Sequence, residues 1–243
     1  MKRAGLTLLM GLGLLFVHAQ NEKNLVVDAN AEVRNVSGFT AIEVSDAIDL
    51  YISQGTGEAV AISGSSDDIK ARIKTEVRSG TLHIYFDGKG LNWKRWGNNR
   101  MKAYVTYKTL QSLEASGACN VKTTDAIRQT ELKMEMSGAS DFTGEVAVTK
   151  LHLSASGASR VKISGTAGNA SFDASGACDI KAYDLITDMC RIDASGASNI
   201  RITVNKELNA KASGGSNISY RGTGLIRDLS SSGGASIKRK VEE

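Results

Sequence analysis

From Leu151 to Ser164 the chain alternates in character. Leu151, Leu153, Ala155, Gly157, Ser159, Val161 and Ile163 are apolar or small; His152, Ser154, Ser156, Arg160, Lys162 and Ser164, with the small Ala158, lie between them. A period of two is that of a strand whose successive side chains face opposite sides. The same parity runs through Ala170, Phe172, Ala174, Gly176, Cys178, Ile180 and Ala182, and again through Ile192, Ala194, Gly196, Ser198, Ile200, Ile202 and Val204. Earlier in the chain the pattern is less regular. Phe39, Ile42 and Val44, then Ile48, Leu50 and Ile52, then Val60 and Ile62, then Ile69 to Ile73, then Leu82 to Phe86 predict short strands separated by Ser, Gly and Asp turns.

A tetrapeptide punctuates the alternation. Ser116-Gly117-Ala118-Cys119 returns as Ser137-Gly138-Ala139-Ser140, Ser156-Gly157-Ala158-Ser159, Ser175-Gly176-Ala177-Cys178, Ser195-Gly196-Ala197-Ser198, Ser213-Gly214-Gly215-Ser216 and Ser232-Gly233-Gly234-Ala235. Its glycines are separated by 21, 19, 19, 20, 18 and 19 residues, the scale of one solenoid coil. The expected fold is all-β, a parallel β-helix or solenoid with about 18–21 residues per coil. Stacked rungs place Ala115, Met136, Ala155, Ala174, Ala194 and Ala212 in one inward column beside the glycines, where small residues let the corner close. They also place Cys119 and Cys178 in one inward column, three coils or roughly 14 Å apart, beyond the reach of a disulfide. Free thiols are expected there. A Ser-Gly pair can mark a nucleophile, but a nucleophile is needed once, and a motif present in every coil is scaffold.

Several segments together resemble the GIN-domain auto-transporter adhesin family of exported bacterial β-helical proteins. They are Phe39-Thr40-Ala41-Ile42-Glu43-Val44, Ile48-Asp49-Leu50-Tyr51-Ile52-Ser53-Gln54-Gly55, Gly80-Thr81-Leu82-His83-Ile84 and Leu113-Glu114-Ala115-Ser116-Gly117. The resemblance spans about Phe39 to Ile237. It implies a β-helical fold, a cell-envelope or extracellular setting, an adhesin-like binding role and no catalytic residues.

Lys2 and Arg3 followed by the apolar run Leu6–Val17 and the small Ala19 read as a signal peptide over 1–19. The run would rise only about 18 Å as a helix, against a bilayer core of roughly 30 Å, so no transmembrane segment is expected in the mature chain. The divisions expected are 1–19 signal peptide, 20–36 lead-in and 37–243 GIN-type β-solenoid, with 37–107 the less regular β part and 108–243 the repeat coils. The destination is exported: periplasm, outer-membrane-associated or extracellular. Removing 1–19 takes Lys2 and Arg3 and no acid, leaving a net charge of +2, too near neutral for a general nucleic-acid binder. The absence of proline from all 243 residues suits a fold that tolerates few interruptions of its ladder.

Candidate chemistry is sparse. His83 and His152 sit in no nucleophile or metal spacing, and no catalytic residue, cofactor or metal site is assigned. Glu114, Glu135, Asp173 and Asp193 lie three residues before their glycines and Lys122, Lys162, Lys181 and Arg201 five after, all facing outward. Asp173 and Asp193, on neighbouring coils about 5 Å apart, have the separation of a retaining glycosidase pair, but coils of near-constant length leave no insertion to wall a cleft. Asn120, Asp141, Asp179, Asn199 and Asn217, three after the glycine, suit turns and could line a calcium ladder, although the spacing is not that of calcium-binding β-rolls. The segment Lys89–Arg100 holds both tryptophans, and Trp93, Lys94, Arg95, Trp96 and Arg100 are the candidate ligand-binding residues. Indole faces stack on sugars and hold cations, and the basic groups meet acidic glycans or phosphate; the rival reading is a loop that caps the solenoid. The function expected is an exported non-catalytic adhesin-like or envelope scaffold, with glycans, matrix or envelope proteins as partners. A polysaccharide-active enzyme and a purely structural envelope protein are the alternatives.

Overall fold

The computed structural model describes residues 28–90 and 100–240; the expected signal peptide lies outside them. The fold is a β-solenoid of about 7 turns with parallel bridges. Its regular part is β8 (Ser112–Ala115), β9 (Asn120–Thr123), β10 (Ile127–Met136), β11 (Asp141–Ala155), β12 (Arg160–Ala174), β13 (Asp179–Ala194), β14 (Asn199–Ala212), β15 (Asn217–Arg221), β16 (Leu225–Ser231) and β17 (Ser236–Arg239). Each strand from β10 to β14 pairs in parallel with the next. Two apolar columns face each other across the interior. Leu113, Met134, Leu153, Phe172, Ile192 and Ala210 stack on the strands entering the repeated turn, and Val121, Phe142, Val161, Ile180, Ile200 and Ile218 on those leaving it. All twelve are buried, so within these two columns each residue packs on apolar neighbours one rung, about 4.8 Å, away.

The repeated turn is the corner of each coil. Gly117, Gly138, Gly157, Gly176, Gly196, Gly214 and Gly233 all have φ between +68° and +84°, a region that a Cβ disfavours. A second constraint acts at the same atom. A methyl on Gly157 would lie 2.4 Å from the Gly138 carbonyl oxygen, because the Ala158 amide donates to that oxygen at 2.7 Å and holds the corners in contact. The residue after Ser-Gly-Ala points inward and ties the turn to itself. Ser159 Oγ donates to the Ser156 carbonyl at 2.8 Å, Ser198 Oγ to Ser195 at 2.9 Å and Ser216 Oγ to Ser213 at 2.8 Å. Cys119 and Cys178 do the same through sulfur, to Ser116 and Ser175 at 3.2 and 3.1 Å. Small size alone predicted this column; the structure adds that these five satisfy a turn carbonyl, while Ser140 Oγ accepts from the Cys119 amide at 3.4 Å. Cys119, Cys178 and Cys190 are free and buried, as expected of the first two. Burial raises all three thiols, Cys119 to about 11 and Cys190 to about 12.

The N-terminal region joins the same ladder out of chain order. β2 (Ala41–Val44) and β3 (Ile48–Gln54) form the rung beneath β8 and β9. The rung beneath that is β6 (Thr81–Phe86) and β7 (Met101–Tyr107), paired in parallel to the other edges of β2 and β3. The chain therefore builds its second rung first, drops to the lowest, then climbs. The lowest rung is closed by antiparallel strands: β5 (Ile73–Arg78) on β6, β4 (Ala59–Gly64) on β7 and β1 (Glu32–Arg34) on β4. These cover the edge that would otherwise offer unpaired backbone. This region thus supplies two degenerate rungs, through β2, β3, β6 and β7, and a cap, through β1, β4 and β5.

One strand expectation is corrected. Ile69 to Arg72 belong to a helix, α1 (Asp67–Arg72), and only Ile73 opens a strand. Ser66 caps the helix by accepting from the Ile69 amide at 3.4 Å, and Asp67 and Asp68 occupy the first turn, where carboxylates favour the helix dipole.

Two outcomes are expected from this packing. Gly157→Ala lowers unfolding free energy by at least ~2 kcal/mol, since the left-handed backbone alone costs roughly 1–2 kcal/mol and the methyl collides with the rung below; Ala158→Ser, at the exposed neighbouring position, shifts it by less than about 0.5 kcal/mol. Urea denaturation measures both. The three thiols resist alkylation by iodoacetamide at neutral pH in the native protein and react in denaturant, as mass spectrometry of the labelled chain would read.

Candidate functional site

The repeated turns form an exposed ridge along the stack, and the strands on its two flanks differ in charge. On the entering flank, rung by rung, the column three before the glycine reads His83, Glu43, Glu114, Glu135, Ser154, Asp173, Asp193 and Lys211. Asp173 and Asp193 are direct neighbours in register, as the period implied. The Asp173 side chain is 47% exposed and its nearest ionic partner is His152 Nε2 at 3.9 Å. Three carboxylates, Glu43, Glu114 and Glu135, fall on successive rungs. His83 Nδ1 lies 2.8 Å from Glu43 Oε2, and Lys133 pairs with Glu135. Desolvation, and then repulsion from Glu43 and Glu135, push the Glu114 carboxyl above its ordinary value.

On the leaving flank the column five after the glycine reads Tyr104, Tyr51, Lys122, Thr143, Lys162, Lys181, Arg201, Ser219 and Lys238. Tyr51 and Tyr104 stack with centroids 5.3 Å apart. Tyr104 is pushed up to about 12, first by burial and then by donating its hydroxyl proton in a 3.0 Å bond to Asp28 Oδ2. The adjacent column, three after the glycine, contains the predicted Asn120, Asp141, Asp179, Asn199 and Asn217, with Asp49 below them and Arg160 breaking the acidic series. These side chains engage one another. Asn120 Nδ2 donates to Asp49 Oδ1 at 2.7 Å, Arg160 Nε lies 3.6 Å from Asp141, and Arg201 Nη1 donates to Asp179 at 2.8 Å.

The lowest rung carries an insertion in its sequence, between β6 and β7. Val44-Ser45-Asp46-Ala47-Ile48 is the second rung's version of Ala115-Ser116-Gly117-Ala118-Cys119, with Asp46 and Ala47 at φ +64° and +62°. In the lowest rung the equivalent corner, between β6 and β7, is residues 87–100. Of the ligand-binding candidates, Trp93, Lys94, Arg95 and Trp96 lie outside the described residues; Arg100 is exposed immediately before β7. Arg72 Nη1 holds the start of the insertion by donating to the carbonyls of Asp87 and Lys89 at 3.1 and 2.9 Å. Beside it Glu43, Asp46, Glu76, Arg78, His83 and Tyr85 line a shallow cavity of ≈ 270 Å³. The near-constant coil length holds for the Ser-Gly-Ala rungs and does not extend to the lowest rung. The equivalence of Ser45-Asp46-Ala47 with Ser116-Gly117-Ala118 is the signal that would have placed Tyr51 in the basic column.

Among the described residues no group of three or more His, Cys, Asp or Glu side chains is arranged to hold a metal ion, and no helix is long and apolar enough to cross a membrane.

Comparison with known proteins agrees with this geometry. A family model described as "Putative auto-transporter adhesin, head GIN domain" matches residues 38–224. Among solved structures, a putative adhesin from Bacteroides fragilis superposes with a TM-score of 0.79 at 25% identity, covering 86% of this chain and 96% of that one. A putative lipid binding protein from Parabacteroides distasonis gives 0.66 at 21% identity, covering 88% and 98%. A putative adhesin from Parabacteroides merdae gives 0.66 at 17%, covering 87% and 95%. No curated protein matches the sequence.

The Glu43–Glu114–Glu135 ladder makes a signed prediction. Because the folded state holds Glu114 above its ordinary value, it binds the proton more tightly than the unfolded chain does, so this group's contribution to stability falls as pH rises through the carboxylate range. Glu114→Gln is therefore expected to melt higher than the parent at pH 7, with the difference closing near pH 3. Calorimetry at the two pH values checks it.

Proposed function

Since the chain belongs to the family described as putative auto-transporter adhesin, head GIN domain, we propose that it is an exported, non-catalytic binding protein of the cell envelope or exterior. It engages glycan, matrix or a partner protein through an outer β-helix face or the Trp93/Trp96 loop. The observation that carries this reading is the arrangement of the outer surface. Side chains on ladder-paired strands recur rung after rung, and both tryptophans fall in the stretch of sequence between β6 and β7. Such a scaffold presents ordered arrays without flexible arms. The adhesin label of the family supports a place outside the cytoplasm and an external partner.

One observation favours a second reading, a polysaccharide-active enzyme. Asp173 and Asp193 are register neighbours on an outward face. Its weakness is physical, since an exposed pair on a flat wall has nothing beside it to exclude water or grip a sugar chain.

A glycan and matrix-protein array probed with the mature parent and with Trp93→Ala/Trp96→Ala tests the proposal. Binding by the parent that is lost in the folded variant places the site in the Trp loop, and binding retained by both places it on an outer face. Absence of binding by either leaves a purely structural envelope role. Cleavage of an arrayed polysaccharide that disappears in Asp173→Asn/Asp193→Asn would establish the enzyme reading instead.

A further inference from the structure

We propose that the leaving flank of the ridge is a docking surface for a linear anionic polysaccharide, one bearing uronate or sulfate groups along its length. The inference rests on the adhesin-like reading and names the ligand class for one face of it. In the two outward columns of that flank, from the Asp49 rung to the Lys238 rung, stand six cations: Lys122, Arg160, Lys162, Lys181, Arg201 and Lys238. Three carboxylates share the surface, and they do not neutralise it. Asp49 is occupied by Asn120, Asp141 faces Arg160, and Asp179 is divided between Arg201 at 2.8 Å and Lys181 at 3.5 Å. Among the described residues no carboxylate pairs with Lys122, Lys162 or Lys238.

Geometry selects the occupant. Lys162, Lys181 and Arg201 stand on three successive rungs about 4.8 Å apart, within the screening length of roughly 8 Å at physiological salt, so they act on a bound chain together. From Lys122 to Lys238 the column spans six rung spacings, ~29 Å along the stack. A single glycan strand can follow such a line. A nucleic-acid duplex, with two phosphate strands and one charge per about 1.7 Å of axis, is wide enough to overhang the ridge and meet the carboxylates of the entering flank. An anionic membrane would want apolar side chains to insert, and among the described residues the exposed large hydrophobics, Val33, Ile186, Met189, Leu225, Ile226 and Leu229, all lie outside these two columns.

The test uses the mature chain and the variants Lys122→Gln/Lys162→Gln/Lys181→Gln, the same three changed to Arg, and Glu135→Gln/Asp173→Asn on the opposite flank. Probes are a heparin decasaccharide, a polyuronate oligomer, neutral dextran, duplex DNA and phosphatidylglycerol vesicles, measured by calorimetry across a salt series, beside the array above. Expected is parental binding to an anionic oligosaccharide that weakens with salt, falls about tenfold or more in the Gln triple variant through loss of charge contacts, and is kept in the Arg triple and acid-flank variants. Equal binding by the Gln triple and the parent overturns the proposal. So does tighter binding of DNA or vesicles than of the oligosaccharides, or self-association at low salt, seen in sedimentation, that the Gln triple abolishes. If the parent binds only neutral glycans or matrix proteins, this proposal fails and the adhesin-like reading stands. If it binds nothing in the array or the series, both fail.

Discussion

The structure depends on how closely two glycine corners can approach. Each Ser-Gly-Ala turn hands the next rung a carbonyl oxygen at 2.7–2.8 Å from an amide, and at that separation a Cβ on the following glycine would fall 2.4–3.1 Å from the same oxygen. The left-handed backbone and the close approach are two independent demands at one position, and glycine meets both. Once the corners are locked at one rung spacing, the strands beside them are held in register, and the differences in coil length are taken up by shifts further along, as after Lys162 and Ala182. Leu153 must then meet Phe172, and Phe172 must meet Ile192. Seven rungs of core packing follow from a contact at the rim.

The same locking acts on the surface. A side chain five residues after the glycine always lands in the same column, so unlike residues in one sequence position become a charged stripe on the protein. Lys162, Lys181 and Arg201 are 19 and 20 residues apart in the chain and adjacent in space. Because the corner projects outward between the flanks, the acidic and basic columns are held on opposite sides of it rather than neutralising each other. A β-scaffold of near-uniform coils thus still has a chemically polarised exterior, carried by its outward residues rather than by its architecture.

The N-terminal end shows the limit of periodic reasoning. The second rung replaces the glycine with Asp46 and Ala47, both in the left-handed region. Asp46 tolerates that conformation, since a short polar side chain can bond locally, and its carboxylate accepts from the Phe86 amide at 3.1 Å. With the glycine gone, the repeat could not be followed below Ser116. The rung order was hidden for a different reason: β6 and β7 pair beneath β2 and β3, a long-range choice that leaves no local mark on the residues making it.

What the sequence by itself determined was whatever depends on neighbours along the chain or on a repeat. This covers the strands, the coil length, the inward and outward parity, the free cysteines, the adjacency of Asp173 and Asp193, and the family. The period of two and the period near 20 are properties of the backbone, and they survive translation from sequence to space. What only the tertiary structure decided were the contacts between segments with no common period. These are the antiparallel closure by β1, β4 and β5, the helix at Asp67–Arg72, the Tyr51–Tyr104 stack and the His83–Glu43 pair. Their energies come from pairing partners chosen across tens of residues, and a strand carries its own alternation in its sequence but not the identity of the edge it will join.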